Sequence, residues 1–311
     1  MNSVKIRSYA TVANLGCGFD VLGLCLQNPY DEIEVSKSNH RKVSLTILES
    51  KYDNIPSNPN MNTGGVPAKL IINDYNLDFG FDIKIKKGIP LCGGLGSSAA
   101  TSAGVVSAIN YILEHKLDDK KLLYYALEGE KVSVSNPHAD NIAPCLFGGL
   151  NLIRDMATLD IIKIPISEFY LAIIHPDIKI NTEDARNLLP EKIDLSLAVK
   201  QWGNLGALIN AFNIDDKNLI KKSMIDKVVE PIRSKLIKGF DSIKVNAIDL
   251  GAIACSISGS GPSIFALCDN KEIASNIAKF SIDFYNKIGL DCDSFVSPIN
   301  HKGPTIVDEI L

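Results

Sequence analysis

Residues 90–100 read P-L-C-G-G-L-G-S-S-A-A, and this run limits what the chain can fold into more than any other part of it. Pro90, Leu91 and Cys92 lead into three glycines, Gly93, Gly94 and Gly96, interrupted by Leu95. Glycine accepts positive φ and lets a ligand come close to the main chain. Ser97 and Ser98 follow, then Ala99 and Ala100, and small or aliphatic residues continue to 113 at helical length. Ser97 or Ser98 is expected to cap that helix. A glycine turn opening a helix offers free N–H groups and the positive end of the helix dipole, a combination that suits phosphate. An ordinary turn ahead of a buried helix has the same glycines, so the run alone leaves both readings open. It is not a Walker A loop, because no lysine follows the last glycine, and it is not a dinucleotide fingerprint at a first strand.

The remaining composition narrows the partners. A chain of 311 residues is long enough for two domains. The net charge is −4 and no basic block occurs, so nucleic acid is not an expected partner. Seven cysteines, an odd number without C-x-x-C, argue for a reducing compartment and against a disulfide framework or zinc site. Residues 88–113 carry no charge, but five glycines, a proline and five Ser/Thr make a poor membrane span. A cytoplasmic chain without a membrane partner is the expectation. Only five of the 32 basic residues are arginine. In a chain so rich in lysine a retained arginine points to geometry that lysine cannot supply, such as bidentate carboxylate binding.

Alternation predicts strands over residues 4–10, 31–35, 43–48 and 81–86, the last leading into the glycine run. Residues 56–67 read as a loop and 68–75 as a helix. Another helix spans 122–130 and ends on Glu130, an acidic residue at the unfavourable end of the dipole; it reads either as a solvated charge or as an oxygen ligand for Mg²⁺. Pro137 and Pro144 bracket a turn with His138, Asp140 and Asn141, within the stretch 135–144. Asn14 and Asp20 stand out among apolar residues near the N-terminus; each reads as a turn or helix cap, or as a pocket residue meeting a hydroxyl and an ammonium. Residues 153–166 are expected to cross between domains, and a strand follows at 170–175. Thr182 is expected to cap a helix carrying Arg186. Helices are expected at 201–212, 217–228 and 271–287. Strands at 253–258 and 263–267 flank the tight S-G-S-G-P loop of 258–262, and a last strand is expected near 293–296. Arg7, Arg41 and Arg154 are expected on the surface.

The glycine run matches every fixed position of P-x-x-x-G-L-G-S-S-A, and so resembles the phosphate loop of the GHMP kinases. Residues 11–23, T-V-A-N-L-G-C-G-F-D-V-L-G, resemble the S-A-N-L-G-x-G-F-D-x-x-G motif of the homoserine kinase family, with V-A-N in place of S-A-N. H-x-D-N at 138–141 and S-G-S-G-P at 258–262 resemble two further motifs. The resemblance implies an α+β, two-domain GHMP kinase fold: a ribosomal-protein-S5-like N-terminal domain over 1–157 and a ferredoxin-like C-terminal domain over 158–311. It implies ATP and Mg²⁺, with residues 90–100 on the phosphates, Asn62 and Thr63 near the base, and Ser98 with Glu130 on the metal. It further implies L-homoserine as substrate, with phosphoryl transfer to its hydroxyl for threonine synthesis, and a homodimer. Asp20 would meet the amine and Arg186 and Arg233 the carboxylate. Thr182 and Gly259 would complete the pocket, and Asn14, His138 and Asn141 would orient the hydroxyl. Asp140 stays a candidate base beside a base-free mechanism. A mevalonate-type kinase or a non-catalytic sensor of the same fold stays open as an alternative.

Overall fold

A computed structural model describes residues 2–48, 50, 52, 55–133 and 137–310. Two sheets organise them. The first contains β1 (Ser3–Ala13), β2 (Leu22–Ser38), β3 (Val43–Ile47), β4 (Gly80–Lys86), β5 (Leu150–Asp155), β6 (Asp160–Ile164) and the C-terminal strand β11 (Thr305–Ile310). Its order is β11-β1-β2-β4-β3, with β5 paired to the start of β2 and β6 to β5. The second contains β7 (Tyr170–Pro176), β8 (Ala254–Ile257), β9 (Ile264–Cys268) and β10 (Cys292–Pro298), in the antiparallel order β10-β7-β9-β8.

Side-chain periodicity explains the first sheet. In β4 Phe81, Ile83 and Ile85 point inward while Asp82, Lys84 and Lys86 point out. The buried face is covered by α1 (Gly65–Asp74), α2 (Ser97–Ile112) and α4 (Ala139–Phe147), and α3 (Asp119–Glu130) packs on these helices. α2 is apolar or small on nearly every side, and it is buried nearly throughout, between the sheet and α3 and α4. Gly104 on α2 has no room for a side chain against Ile33 and Ser8, which sets how closely the helix approaches β1 and β2. The second half carries α5 (Thr182–Asn187), α6 (Leu195–Asn213), α7 (Lys217–Ser223), α8 (Glu230–Arg233), α9 (Phe240–Asp249) and α10 (Lys271–Lys287). α9 and α10 pack on the second sheet.

Several local expectations shift. α1 begins at Gly65 rather than 68; Pro67 falls in its first turn, where a missing N–H costs nothing. Neither Ser97 nor Ser98 caps α2, because the position before it is Gly96 in the left-handed region, without a side-chain cap. Residues 138–144 are not a bracketed turn: α4 starts at Ala139 and runs through Pro144. Ser135 and Asn136, at the start of that stretch, lie outside the described residues. Within 153–166 the chain leaves the first sheet only after Ile164, since β5 and β6 form a hairpin within it. Asn181, not Thr182, caps α5 by accepting from the Glu183 and Asp184 N–H groups. α7 stops at Ser223, well short of 228. α9 and β11 were not expected. β11 hydrogen-bonds to β1 at the opposite end of the chain, a partner no local pattern reveals.

All seven cysteines are free. No described helix is long and apolar enough to cross a membrane.

Gly23 marks where the sheet and a helix meet most tightly: a Cβ there would overlap the Asp140 carbonyl oxygen and press on Pro144. Gly23→Ala is expected to cost about 1–3 kcal/mol by overpacking, read as a lower urea midpoint at unchanged slope.

Candidate active site

The glycine loop of residues 90–100 is held on three sides. Gly94 sits at φ +72° against the Ser258 carbonyl, and Gly96 at φ +65° against the Thr11 hydroxyl; neither has space for a Cβ. Ser258 Oγ donates to the Gly94 carbonyl at 2.6 Å, the Ser263 N–H to the Gly93 carbonyl at 3.2 Å, and the Thr11 N–H to the Leu95 carbonyl at 3.1 Å. The loop therefore bridges the end of β1 and the S-G-S-G-P turn of the second sheet.

Behind it lies a buried ion pair that sequence reading passed over. Lys87 Nζ, at the end of β4, pairs with Asp31 Oδ2 and donates to the Ser97 carbonyl at 2.8 Å and Thr101 Oγ1 at 2.9 Å. Asp31 Oδ1 accepts from the Gly88 and Ile89 N–H groups at 2.9 and 3.0 Å. The ring of bonds closes through Ser97 Oγ, which donates to the Ile89 carbonyl at 3.2 Å. The available signal was Lys87 itself, the last charge before the uncharged run of 88–113.

At the start of α2, Ser98 Oγ donates to Glu130 Oε2 at 2.9 Å. Glu130 is a buried carboxyl rather than a solvated charge, and its Oε1 has no hydrogen-bond partner. Burial pushes its pKa up to about 7, partly offset by the Ser98 hydrogen bond. An orphaned carboxylate oxygen beside a hydroxyl is a hard-cation donor set, so these two residues fit Mg²⁺. Among the described residues no group of three His, Cys, Asp or Glu could hold a metal by itself, and such a cation would complete its shell with phosphate and water oxygens. Thr63 and Asn62 pack nearby: Thr63 Oγ1 donates to the Ser98 carbonyl at 3.1 Å, and Asn62 Oδ1 accepts from the Gly64 N–H at 2.9 Å.

A second, charged cluster adjoins the loop. Asp20 and Asn14 are both at positive φ. Asn14 Oδ1 accepts from the Asp20 N–H at 3.1 Å and its Nδ2 donates to the Gly259 carbonyl at 2.9 Å, so it fastens this turn to the S-G-S-G-P loop. Arg186 pairs with Asp20 Oδ2 and contacts His138 Nε2 at 3.0 Å, while His138 Nδ1 lies 3.6 Å from the same Asp20 oxygen. The groups expected to receive opposite ends of a zwitterion are thus paired with each other. Arg233 is buried and donates to the Gly259 carbonyl at 3.0 Å. Both guanidiniums lie over the Phe19 ring, at 5.4 and 5.3 Å from its centroid. Phe19 was not anticipated as a pocket wall. Burial lowers the pKa of His138 and of Arg233. Thr182 Oγ1 shares a hydrogen bond with Ser260 at 3.2 Å.

Between loop and cluster, Asn141 Oδ1 accepts from Thr11 Oγ1 at 2.7 Å. The neighbouring Asp140 is buried, and burial, helped by the Asp20 charge, raises its pKa to about 7. Of the three other arginines, Arg154 pairs with Asp160 at the surface and Arg41 is exposed. Arg7 is half-buried, with its guanidinium 4.6 Å from the Tyr30 ring centroid.

Residues 66–149 match the model of the GHMP kinases N-terminal domain and residues 195–286 that of the GHMP kinases C-terminal domain. A homoserine kinase of Chlorobium phaeobacteroides is 38% identical over 99% of this chain and 100% of its own. One of Methanococcus vannielii is 37% identical over 94% of this chain and 98% of its own. The crystal structure of homoserine kinase from Cytophaga hutchinsonii, 43% identical, matches with a TM-score of 0.94 over 99% of this chain and 98% of that one. With likeness of this kind along its whole length, the chain belongs to the homoserine kinase family of the GHMP kinases.

Proposed function

We propose that this protein transfers the γ-phosphoryl group of ATP to the side-chain hydroxyl of L-homoserine, giving O-phospho-L-homoserine for threonine synthesis. The observation that carries the reading is the pocket of Asp20, Arg186, His138 and Arg233 set beside a glycine loop whose backbone is pinned at a helix N-terminus. In this reading the loop and the first N–H groups of α2 hold the polyphosphate. Ser98 and Glu130 hold Mg²⁺, which when bound neutralises charge on the transferring phosphate. Asn62 and Thr63 lie toward the base. The incoming amino acid replaces the internal Asp20–Arg186 pair with two pairs of its own, amine to Asp20 and carboxylate to Arg186 and Arg233. Asn14, Thr182 and Gly259 shape that end of the pocket. Asn141 and His138 orient the hydroxyl toward the phosphate, and catalysis rests on positioning and charge stabilisation.

The same reading assigns the nucleotide to a domain of residues 1–157 and completes the pocket from 158–311, with β11 returning to the first sheet. It includes a homodimer in the cytoplasm. A mevalonate-type substrate has no amine to satisfy Asp20, which disfavours that alternative. A non-catalytic sensor would have no use for Ser97, Ser98 and Glu130 together.

Three outcomes test these assignments. Asp20→Asn is expected to raise KM for L-homoserine about 30- to 1,000-fold, the loss of one partner of a desolvated pair, with KM for ATP changed less than about twofold, both read from ADP release. Equal changes in the two constants would remove Asp20 from the amine site. Asp140→Asn is expected to keep kcat within about tenfold of the parent at unchanged KM; a fall of several orders of magnitude with the fold intact would make Asp140 the base. For Glu130 the sign follows from its raised pKa. The folded protein favours the neutral carboxyl, so its stabilising contribution is complete below the ordinary value of 4.5 and is lost as pH rises through about 7. The melting temperature of metal-free protein is therefore expected to fall from pH 5 to pH 8, and less so in Glu130→Gln. Mg²⁺ requires the carboxylate, so its affinity is expected to rise over the same interval and to lose that dependence in the variant.

A further inference from the structure

Among the described residues, α6 is the one long helix that turns a broad apolar face to solvent. Its inner side is anchored: Ala198, Leu208, Ala211 and Phe212 are buried, and Gln201 and Asn204 donate to the carbonyls of Cys17 and Ile225. On the opposite side, helical spacing lines up Leu195, Val199, Trp202, Gly203, Gly206 and Asn210. Leu195 is 70% exposed, Val199 54% and Trp202 61%, and Ile193 just ahead of the helix is 42% exposed. Lys200 is the only charged residue among the 19 of the helix. A helix face meant for water carries charge. These four side chains leave on the order of 500 Å² of surface uncovered, the size at which an exposed apolar patch marks an interaction site and a large part of the roughly 800 Å² each partner contributes to a standard interface.

The two glycines indicate what covers it. A Cβ at Gly203 or Gly206 would meet nothing within 4 Å, so no contact inside this chain explains why the residue there is glycine. Glycine inside an exposed helix weakens it relative to alanine. The helix thus presents a bulky half, Leu195 to Trp202, followed by a hollowed half, Gly203 to Asn210. Those halves are complementary under a twofold axis. With the axis between residues 202 and 203 of two antiparallel copies, Trp202 falls on Gly203 of the second copy, Val199 on its Gly206 and Leu195 on its Asn210. Symmetry repeats each contact, which is the isologous pattern of cyclic dimers. Glycine at the crossing allows the close interaxial approach that such packing requires.

We propose that α6 is the contact helix of the homodimer, packed antiparallel against α6 of a second copy with Trp202 seated over Gly203. The assignment rests on the homodimeric part of the reading above and not on the reaction. Size-exclusion chromatography with light scattering on the full chain, from about 1 to 50 µM, tests it beside Trp202→Glu and Val199→Lys. Wild type is expected at twice the 33.8 kDa of one chain. Each variant is expected to weaken association at least about 30-fold, as loss of a central interface residue does, with an unchanged far-UV circular dichroism spectrum. A second pair of variants tests the register. Val199→Cys/Gly206→Cys is expected to form an intermolecular disulfide under mild oxidation that neither single variant forms in comparable yield. Dimers that persist in both charged variants would overturn the α6 assignment and leave the homodimer standing. A monomeric wild type across the whole range would remove both.

Discussion

The site depends on a seam where one strand and two loops share hydrogen bonds. Gly94, Leu95 and Gly96 are caught between Thr11 at the end of β1 and Ser258 in the S-G-S-G-P turn. The seam joins residues from the first strand, the glycine loop and the turn of the second sheet, so it fixes the glycine loop and the charged cluster relative to each other. Backbone at positive φ without room for Cβ atoms makes this possible, and only glycine satisfies both conditions there. Phosphoryl transfer leaves little for the protein to do besides positioning, so a rigid seam is a functional requirement as well as a structural one.

Two ion pairs flank the seam and differ in kind. Lys87 and Asp31 are almost wholly removed from water, and their mutual attraction is supplemented by hydrogen bonds that use the remaining lysine protons and carboxylate lone pairs. Such satisfaction is what lets a buried pair persist despite desolvation. Asp20 and Arg186 are about one-quarter and one-third exposed, and His138 bridges them. A half-solvated pair is cheap to exchange for ligand charges, whereas a fully enclosed one is not. The buried pair therefore suits a permanent brace and the exposed one a receptive pocket. Glu130 lies between these cases: burial raises its proton affinity, and one of its oxygens is left without a partner.

Much of this was legible locally. The phosphate loop, the following helix, the helix at Lys271–Lys287 and the S-G-S-G-P turn with strands on either side are set by short-range rules of glycine tolerance and periodicity. The family resemblance singled out Arg186 and Arg233, and the structure brings both to Phe19 beside Asp20. The misses have local causes as well. Asn181 outcompetes Thr182 as a cap because its carboxamide reaches two N–H groups at once. Pro144 was read as one bracket of a turn, yet it lies inside α4, with Gly148 ending the helix only after Phe147.

By itself the sequence determined most of the segments that become strand, helix or glycine turn, because those depend on φ preferences and on the spacing of apolar residues. It also determined the chemical types available to the site. The tertiary structure alone decided who meets whom. Lys87 finds Asp31 across 56 residues, and Arg186 finds Asp20 across 166. β11 finds β1 from the far end of the chain. None of these pairings is visible within a single window, since pairing of charges and of strand edges is set by how the two sheets come together and not by the side chains next in line.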